Sequence, residues 1–546
     1  MQMKPSVPSD KEVIPKAAQK ELTDLLGEKN VCFNRDMLSV FRCGPGAPFP
    51  GSKNPHGMVQ PETTEEIQGI MKIANEHKFP VIVVSTSGPG VCLSGGLIID
   101  TYTRMRKIHQ IDPESGYVLV EPGVTNGQLL RALRPLGYWI SFGSYPPYVG
   151  EIASLVCFNG YTNIIGKEHH FCIGLEVVLP TGEIIRTGTA ALGYDWWTQY
   201  RGVPDLTSMW TPSFGTHGII TKAALRIHPL GEKRQIVIAG FNDFKKALTL
   251  LNNLSKEAMA NTSMIWSHRW TEWENYMYQN GKGFMDYVNH MLSLGLDKAP
   301  PGYYPHNVLA SFSGYKEQVE GGVKTCERLI KELGGEINTE NFKNQWPGTW
   351  EWWNQHFLDL TNPGEGSVKS QVDGVEGTVG GLIAETNVGQ AKEFHHTMME
   401  KFHEFGIRSV RYYIRQYDHG RTTFLRYLYQ TEQEDPEAII AGLKTMKQID
   451  DWWDSKEFKE KFPDVFRHAP PTAPIEASTK TESSGGPPLL AMPSGPPPGE
   501  KTKKSPYSIV ELRKKILDII DPNNLMDPAT KKMEYDTWGK AHREAK

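Results

Sequence analysis

One short segment constrains this chain more than any other. A buried-strand run, Phe79-Pro80-Val81-Ile82-Val83-Val84, stops abruptly at Ser85-Thr86-Ser87-Gly88-Pro89-Gly90. Small residues after an apolar strand let backbone N–H groups approach an anion closely, and the three hydroxyls add donors. Taken alone, the loop is equally compatible with an ordinary tight turn. It lacks the spacing GxGxxG, and GxxxxGK[ST] is absent from the chain, which disfavours a Rossmann-type dinucleotide fold and a P-loop. The loop sits in a region of alternating helix and strand. Thr63–His77 carries Ile67, Ile70, Met71 and Ala74 at helical spacing, with Thr63 or Thr64 as N-cap and acids in the first turn. Further strands are expected at 97–100 and 117–123, a short helix at 126–136, a hairpin over 175–186 turning at Thr181-Gly182, and a strand at 218–227.

From about Arg234 the character changes. Strands such as Gln235–Phe241 alternate with helices such as Phe244–Ala258 and Val319–Leu333. Tryptophans gather here, at 266, 270 and 273 and again at 346, 350, 352 and 353. Residues 469–506 hold ten of the 38 prolines and no aromatic residue. Such a stretch buries too little apolar surface to offset the entropy of ordering it. It reads as an extended loop, either a bare spacer or a strap for a partner. Ser508–Ile520 then reads as an amphipathic helix. The expected organisation is an N-terminal extension (1–54), a first domain (55–233), a second domain (234–468), the Pro-rich loop (469–506) and a C-terminal segment (507–546) that returns to the first domain.

Composition excludes some function classes. With 59 Lys+Arg against 63 Asp+Glu the formal charge is -4, so a broad electrostatic grip on nucleic acid is not expected. No apolar run approaches the ~20 residues of a membrane span, and the N-terminus has no apolar core of a secretory signal. The six cysteines are sparse and no two are separated by two residues, which argues against a disulfide framework, structural zinc or an iron–sulfur cluster. Adjacent histidines at 169/170 and 395/396 lack a third ligand, so no metal is assigned. A cytoplasmic protein is the expectation.

Other segments line up with the serine/threonine loop. In order they are Val59-Gln60-Pro61-Glu62-Thr63-Thr64-Glu65-Glu66-Ile67, Glu121-Pro122-Gly123-Val124-Thr125, Gly174-Leu175-Glu176-Val177-Val178-Leu179-Pro180-Thr181-Gly182-Glu183, Asp205-Leu206 and Ser213-Phe214-Gly215-Thr216-His217-Gly218-Ile219-Ile220-Thr221. This ordered set resembles the FAD-binding domain of the vanillyl-alcohol oxidase / p-cresol methylhydroxylase (PCMH) superfamily, strongly over roughly 55–230. Asp521-Pro522-Asn523-Asn524-Leu525-Met526-Asp527-Pro528 looks like that family's final return segment. The resemblance implies an α+β fold: a two-subdomain PCMH-type FAD-binding domain with an α+β cap domain carrying an antiparallel sheet. It implies that the FAD diphosphate rests on Ser85, Thr86, Ser87, Gly88, Pro89 and Gly90. Gly123, Val124 and Thr125 would lie along the cofactor, Gly150 and Ser154 close to the ring and adenine, and Gly218, Ile219 and Ile220 at the pyrimidine side. Dimerisation through the cap is common in the family, so a homo-oligomer is expected.

The chain departs from the family at two places. Its pyrophosphate loop has no histidine, so a covalent flavin link would have to come from the cap, where His419 is the candidate. Phenol-oxidising members place an acid in the segment matching Tyr145–Ser154; here Glu151 stands nearby but not in clear register. Hydride transfer to a flavin needs groups that orient the substrate and hold or remove a proton. Arg411-Tyr412-Tyr413-Ile414-Arg415-Gln416-Tyr417-Asp418-His419 supplies guanidinium, phenol and imidazole. Strand alternation puts Arg411, Tyr413, Arg415 and Tyr417 on one face and Tyr412 on the other. The candidate catalytic residues are therefore Tyr413, Arg415, Tyr417, His419 and Glu151. Three functions stay open. One is an FAD-dependent oxidoreductase acting on an aromatic or apolar alcohol or an activated benzylic carbon. The second is a 2-hydroxy acid dehydrogenase in which Arg411 or Arg415 clamps the carboxylate. The third is a flavin-carrying electron-transfer subunit that docks a cytochrome or other redox protein.

Overall fold

The computed structural model describes residues 13–44, 47–48, 53–85, 95–140, 150, 171–199, 204–211, 213, 215–272, 298–353, 378–407, 410–430, 436–467, 509–529 and 531–532. The Pro-rich loop, His169 and His170 lie outside the described residues, as do the side chains of Trp352 and Trp353.

Two small sheets form the first part of the molecule. The first has four strands, in the order Val31–Cys32, Gly57–Val59, Leu97–Asp100 and Val81–Val84, with parallel pairing among the last three. The helix Thr64–His77 begins as its sequence indicates: the Thr63 hydroxyl accepts from Glu66 N–H, and Ile67, Ile70, Met71 and Ala74 are buried. The stretch read as an N-terminal extension contributes to the same unit. Its helix Lys16–Leu26 buries Ala18, Leu22 and Leu26 in the core beneath this sheet. The second sheet has five antiparallel strands, in the order Ile184–Arg186, Cys172–Val178, Ile219–Arg226, Tyr117–Val120 and Ile108–Asp112.

The two units share a seam. Val178 and Ile219 pack in the core of the first sheet, while their neighbours Val177 and Ile220 pack in that of the second. Glu176 adds a buried polar tie. Its carboxylate accepts from Thr64 on the first unit's helix (3.2 Å), from Thr221 (3.0 Å), and from Lys222 (2.7 Å) and Arg186 (2.9 Å). Burial would raise this carboxyl, but Lys222 and Arg186 outweigh it and hold the group below the usual range.

The cap is an eight-stranded sheet in which every neighbouring pair is antiparallel. Its order is Glu336–Ile337, Lys233–Phe241, His306–Gly314, Thr262–Ser267, Val410–Tyr417, Thr422–Gln430, Thr378–Thr386 and Phe466–Arg467. Helices Phe244–Lys256, Lys316–Glu332, Val388–Glu404 and Pro436–Trp453 bury one face of this sheet in a large apolar core. The opposite face carries a separate, aromatic-rich cluster. The mixture of two small sheets with helices and an antiparallel cap is the α+β architecture the sequence implied.

Candidate active site

Two sets of residues carry the chemistry. The first is on the two small sheets. Strand Val81–Val84 delivers Ser85 at its end, and its last carbonyl is fixed by Thr101, whose N–H (2.9 Å) and hydroxyl (3.1 Å) both donate to Val84 O. Gly150 bridges to Thr125. A Cβ on Gly150 would lie 2.2 Å from Ser85 O and 3.2 Å from Pro122 O, so three separate segments converge at this glycine. Val124 is buried, and Thr125 caps the helix Asn126–Leu133 by accepting from Gln128 N–H at 3.3 Å. Gly218 has φ +120°, and a Cβ there would sit 2.7 Å from Val178 O, so only glycine can enter the strand Ile219–Arg226 in this way. The structure thus brings together Ser85, Gly123, Val124, Thr125 and Gly150, and sets Gly218, Ile219 and Ile220 at the seam between the sheets. Thr86, Ser87, Gly88, Pro89, Gly90, Ser154 and Glu151 lie outside the described residues.

Beside Gly218 is a buried polar turn. The Thr216 hydroxyl and His217 Nδ1 are 2.9 Å apart, and Trp210 donates its indole N–H to His217 O at 3.1 Å. Burial, reinforced by the cations Arg513 and Lys531, pushes the His217 imidazole down to about 3, so it is neutral at neutral pH. The next residue after Trp210, Thr211, is buried, and its hydroxyl has no hydrogen-bond partner among the described residues.

The second set is on the aromatic face of the cap. The strand Val410–Tyr417 is buried along its whole length. Its alternation is as the sequence indicates: Tyr412 and Ile414 enter the helix-covered core, while Tyr413 and Tyr417 enter the aromatic cluster. Arg411 and Arg415 share the latter face, at 0% and 4% exposure. Arg426 stands directly opposite Tyr413 in the neighbouring strand and donates to its hydroxyl at 3.3 Å. The Arg426 and Arg415 guanidiniums lie 5.7 and 4.8 Å from the centre of the Tyr413 ring. Burial would raise this phenol; the two guanidiniums overcome that, and the net direction is down. Trp270 meets Tyr413 edge to face at 4.8 Å, and Arg411 lies 5.2 Å from the Trp270 ring. Glu385 is opposite Phe424, which is itself opposite Arg415, so a fully buried acid joins the same face.

A neighbouring cluster follows strand Thr262–Ser267. His268 packs against Tyr303 and Trp346 at 5.5 and 5.4 Å, and its Nε2 is 3.6 Å from Glu272. Burial raises the Glu272 carboxyl to about 7 against the opposing pull of Arg269. Ser267 links the two clusters: its hydroxyl oxygen accepts from Trp270 N–H and Tyr412 N–H, each at 3.1 Å.

One expected catalytic residue is corrected. His419 is not part of this face. The strand ends at Tyr417, and Asp418 and His419 take left-handed backbone angles (φ 49° and 53°) to turn the chain into Thr422–Gln430. A tight turn needs such angles, and it leaves the imidazole exposed. The residues that sequence reasoning missed are Arg426, Glu385 and Glu272. A signal for Arg426 existed. A turn over 418–421 that pairs Tyr417 with Thr422 also pairs Tyr413 with Arg426.

Comparison with known proteins gives the context of these sets. Residues 55–188 match the family described as "FAD binding domain". The chain is 29% identical over 346 residues to the 4-cresol dehydrogenase [hydroxylating] flavoprotein subunit of Pseudomonas putida, covering 60% of this chain and 65% of that one. The crystal structure of p-cresol methylhydroxylase with substrate bound superposes with a TM-score of 0.67 at 19% identity, over 97% of this chain and 98% of that one. The chain thus carries an FAD-binding domain and shares the fold of PCMH-type FAD-linked oxidoreductases. A glycolate oxidase subunit of Bacillus subtilis is also similar, at 30% identity over 217 residues, 37% of this chain and 43% of the relative. The matches span less than two thirds of the length of these two curated relatives.

The first set of residues fits an FAD. Neither Gly123 nor Gly150 has room for a Cβ, which would lie 2.3 Å from Tyr102 O and 2.2 Å from Ser85 O respectively, and the Thr211 hydroxyl is buried and lacks a partner among the described residues. Ser85, Gly123, Val124, Thr125 and Gly150 lie within the matched FAD-binding segment; Gly218, Ile219 and Ile220 follow it.

Proposed function

We propose that this protein is an FAD-dependent oxidoreductase that takes a hydride from a small aromatic substrate carrying an ionised oxygen, at an alcohol or benzylic carbon. One observation carries the reading: Arg415 and Arg426 bracket the buried Tyr413 phenol on a sheet face lined by Trp266, Trp270, Trp346 and Phe424. Guanidiniums held among aromatic rings favour a delocalised anion with an apolar body. The FAD, when bound, supplies the hydride acceptor. The chain's own residues do the rest. Arg415 and Arg426 hold negative charge on oxygen. The Tyr413 hydroxyl, depressed by the same two cations, exchanges a proton with that oxygen. Trp270 and Phe424 flank the ring and exclude water. Tyr417, with Phe424 at 5.9 Å, closes the far end of this row. The similarity to a 4-cresol dehydrogenase flavoprotein subunit supports both a phenolic substrate and a separate redox protein as electron acceptor.

A second reading, oxidation of a 2-hydroxy acid, rests on the same guanidiniums acting as a bidentate carboxylate clamp and on the similarity to a glycolate oxidase subunit. Anaerobic addition of 4-alkylphenols, benzylic alcohols and 2-hydroxy acids to the purified chain separates the two. Bleaching of the visible flavin band by the aromatic series alone supports the first reading. Bleaching by the acids alone overturns it.

A further inference from the structure

We propose that Asp521 and Lys531 form a clip that holds the strand Val81–Val84, and through it Ser85, in the shape that retains FAD. The proposal rests on the FAD-binding reading. It concerns residues some 440 positions away from that strand and outside the matched FAD-binding segment.

Val81–Val84 is the last strand of the four-stranded sheet, so its outer backbone edge needs a partner. The C-terminal segment supplies it. Met526 pairs in parallel with Val81; Val81 N–H donates to Leu525 O at 2.8 Å, and Asp527 N–H donates to Val81 O at 2.9 Å. Leu525 and Met526 are buried in the core of the same sheet. The turn that presents them is strained: Asn524 and Asp527 both have positive φ (51° and 35°). Something must hold it, and the Asp521 side chain does. Its Oδ1 accepts from Leu525 N–H (2.9 Å), and its Oδ2 accepts from Met526 N–H (2.9 Å) and from the Lys531 ammonium. Asp521 is 4% exposed, so this carboxylate is buried with its charge balanced by one lysine. A second tie reaches the residues before the strand. Asn523 accepts from the Lys78 ammonium at 2.7 Å and donates to Asn75 at 2.8 Å.

The clip acts at one end of a short rigid path. Val81 is fixed by the C-terminal segment, Val84 by Thr101, and Ser85 O lies against Gly150. A strand is stiff over four residues, so loosening Val81 moves Ser85 and the loop it begins. Among the described residues Asp521 and Lys531 make no hydrogen bond to Ser85, Gly123, Val124, Thr125 or Gly150, so they act as positioning residues.

The test uses the full chain in four forms: wild type, Asp521→Asn, Lys531→Met and the double variant. Either single change unbalances the buried pair, while the double change leaves a neutral pair of similar shape. The FAD content on purification, the FAD dissociation constant of the apoprotein, the thermal midpoints of apo and FAD-loaded forms, and deuterium exchange of the 81–85 backbone are measured for each. The single variants are expected to lose FAD affinity by about tenfold or more, with the loaded form losing more stability than the apo form and exchange rising at 81–85. The double variant is expected to recover most of that affinity. If the singles bind FAD as the wild type does, or if apo and loaded forms are destabilised equally, Asp521 and Lys531 merely stabilise the fold and the clip is wrong. If a single variant does not fold, the double variant and the exchange at 81–85 still decide. If the wild-type chain itself takes up no FAD, the cofactor reading falls and takes this proposal with it.

Discussion

The two faces of the cap sheet are built from the same strands and could hardly differ more in chemistry. Residues of Val410–Tyr417 alternate between them. On the helix-covered face the polar groups pair with one another: Tyr412 hydrogen-bonds His306 (2.7 Å), Tyr427 hydrogen-bonds His395 (2.9 Å), and Phe244 stacks on His395 at 3.6 Å. That is how a core admits polar atoms at little cost. On the aromatic face the same strands place Arg411, Arg415 and Arg426 among tryptophans and tyrosines. Burying guanidiniums gains little stability even when they are well partnered. Among the described residues these strands gather their guanidiniums on one face, which is what the proposed anionic substrate calls for.

The largest break between the faces is expected at Arg415. Arg415→Met should lower kcat/KM for an aromatic substrate by about 10²-fold or more, the scale set by removing one preorganised charge-stabilising group. The Tyr413 phenol should titrate at higher pH in the variant, since one of the two cations that depress it is gone. Rapid-mixing flavin reduction and ultraviolet pH difference spectra check the two outcomes. Unchanged flavin reduction would place the substrate elsewhere.

How much of this was readable beforehand follows the range of the interactions involved. Local signals were reliable. Thr63 and the spacing of Ile67, Ile70 and Met71 mark the helix, and the alternation from Arg411 to Tyr417 assigns each side chain to its face. The ordered glycine and serine segments mark the cofactor side. Long-range pairing was not readable. Nothing near Met264 indicates that it will stand opposite Arg415, or that Glu385 will line up with Phe424. Arg426 lay between these cases, because the turn length fixes its register once the turn is recognised. His419 falls in that same turn, where its left-handed backbone carries the imidazole out to solvent, away from the strand face.

A smaller difference is expected in pH dependence. The aromatic side holds Glu272, raised by burial to about 7, whereas its unfolded value is 4.5. Between those values the folded chain keeps a proton that the unfolded chain has released. The stabilisation linked to that proton is therefore complete below pH 4.5 and is lost as pH rises to about 7. Glu272→Gln should remove this slope and leave the variant more stable than wild type above pH 7 by up to about 3 kcal/mol. Denaturant unfolding at several pH values checks it. Parallel curves for the two proteins would mean that Glu272 is ionised in the fold at lower pH.

The smallest effect sharpens the comparison most, because it changes one atom on adjacent residues. Tyr412→Phe removes a hydroxyl from the helix-covered face and leaves His306 Nδ1 without that contact. The cost should be about 1 kcal/mol of folding stability, as for one buried hydrogen bond, with kcat/KM within about twofold of wild type. Tyr413→Phe removes the same atom from the other face, where it accepts from Arg426. Its effect should fall on flavin reduction instead, because the hydroxyl lost there is the one proposed to exchange a proton with the substrate. Chemical denaturation and substrate kinetics on the two variants measure both quantities. If the two substitutions had matching profiles, the faces would not be functionally distinct, and the bracketed phenol would be another packing element of the cap.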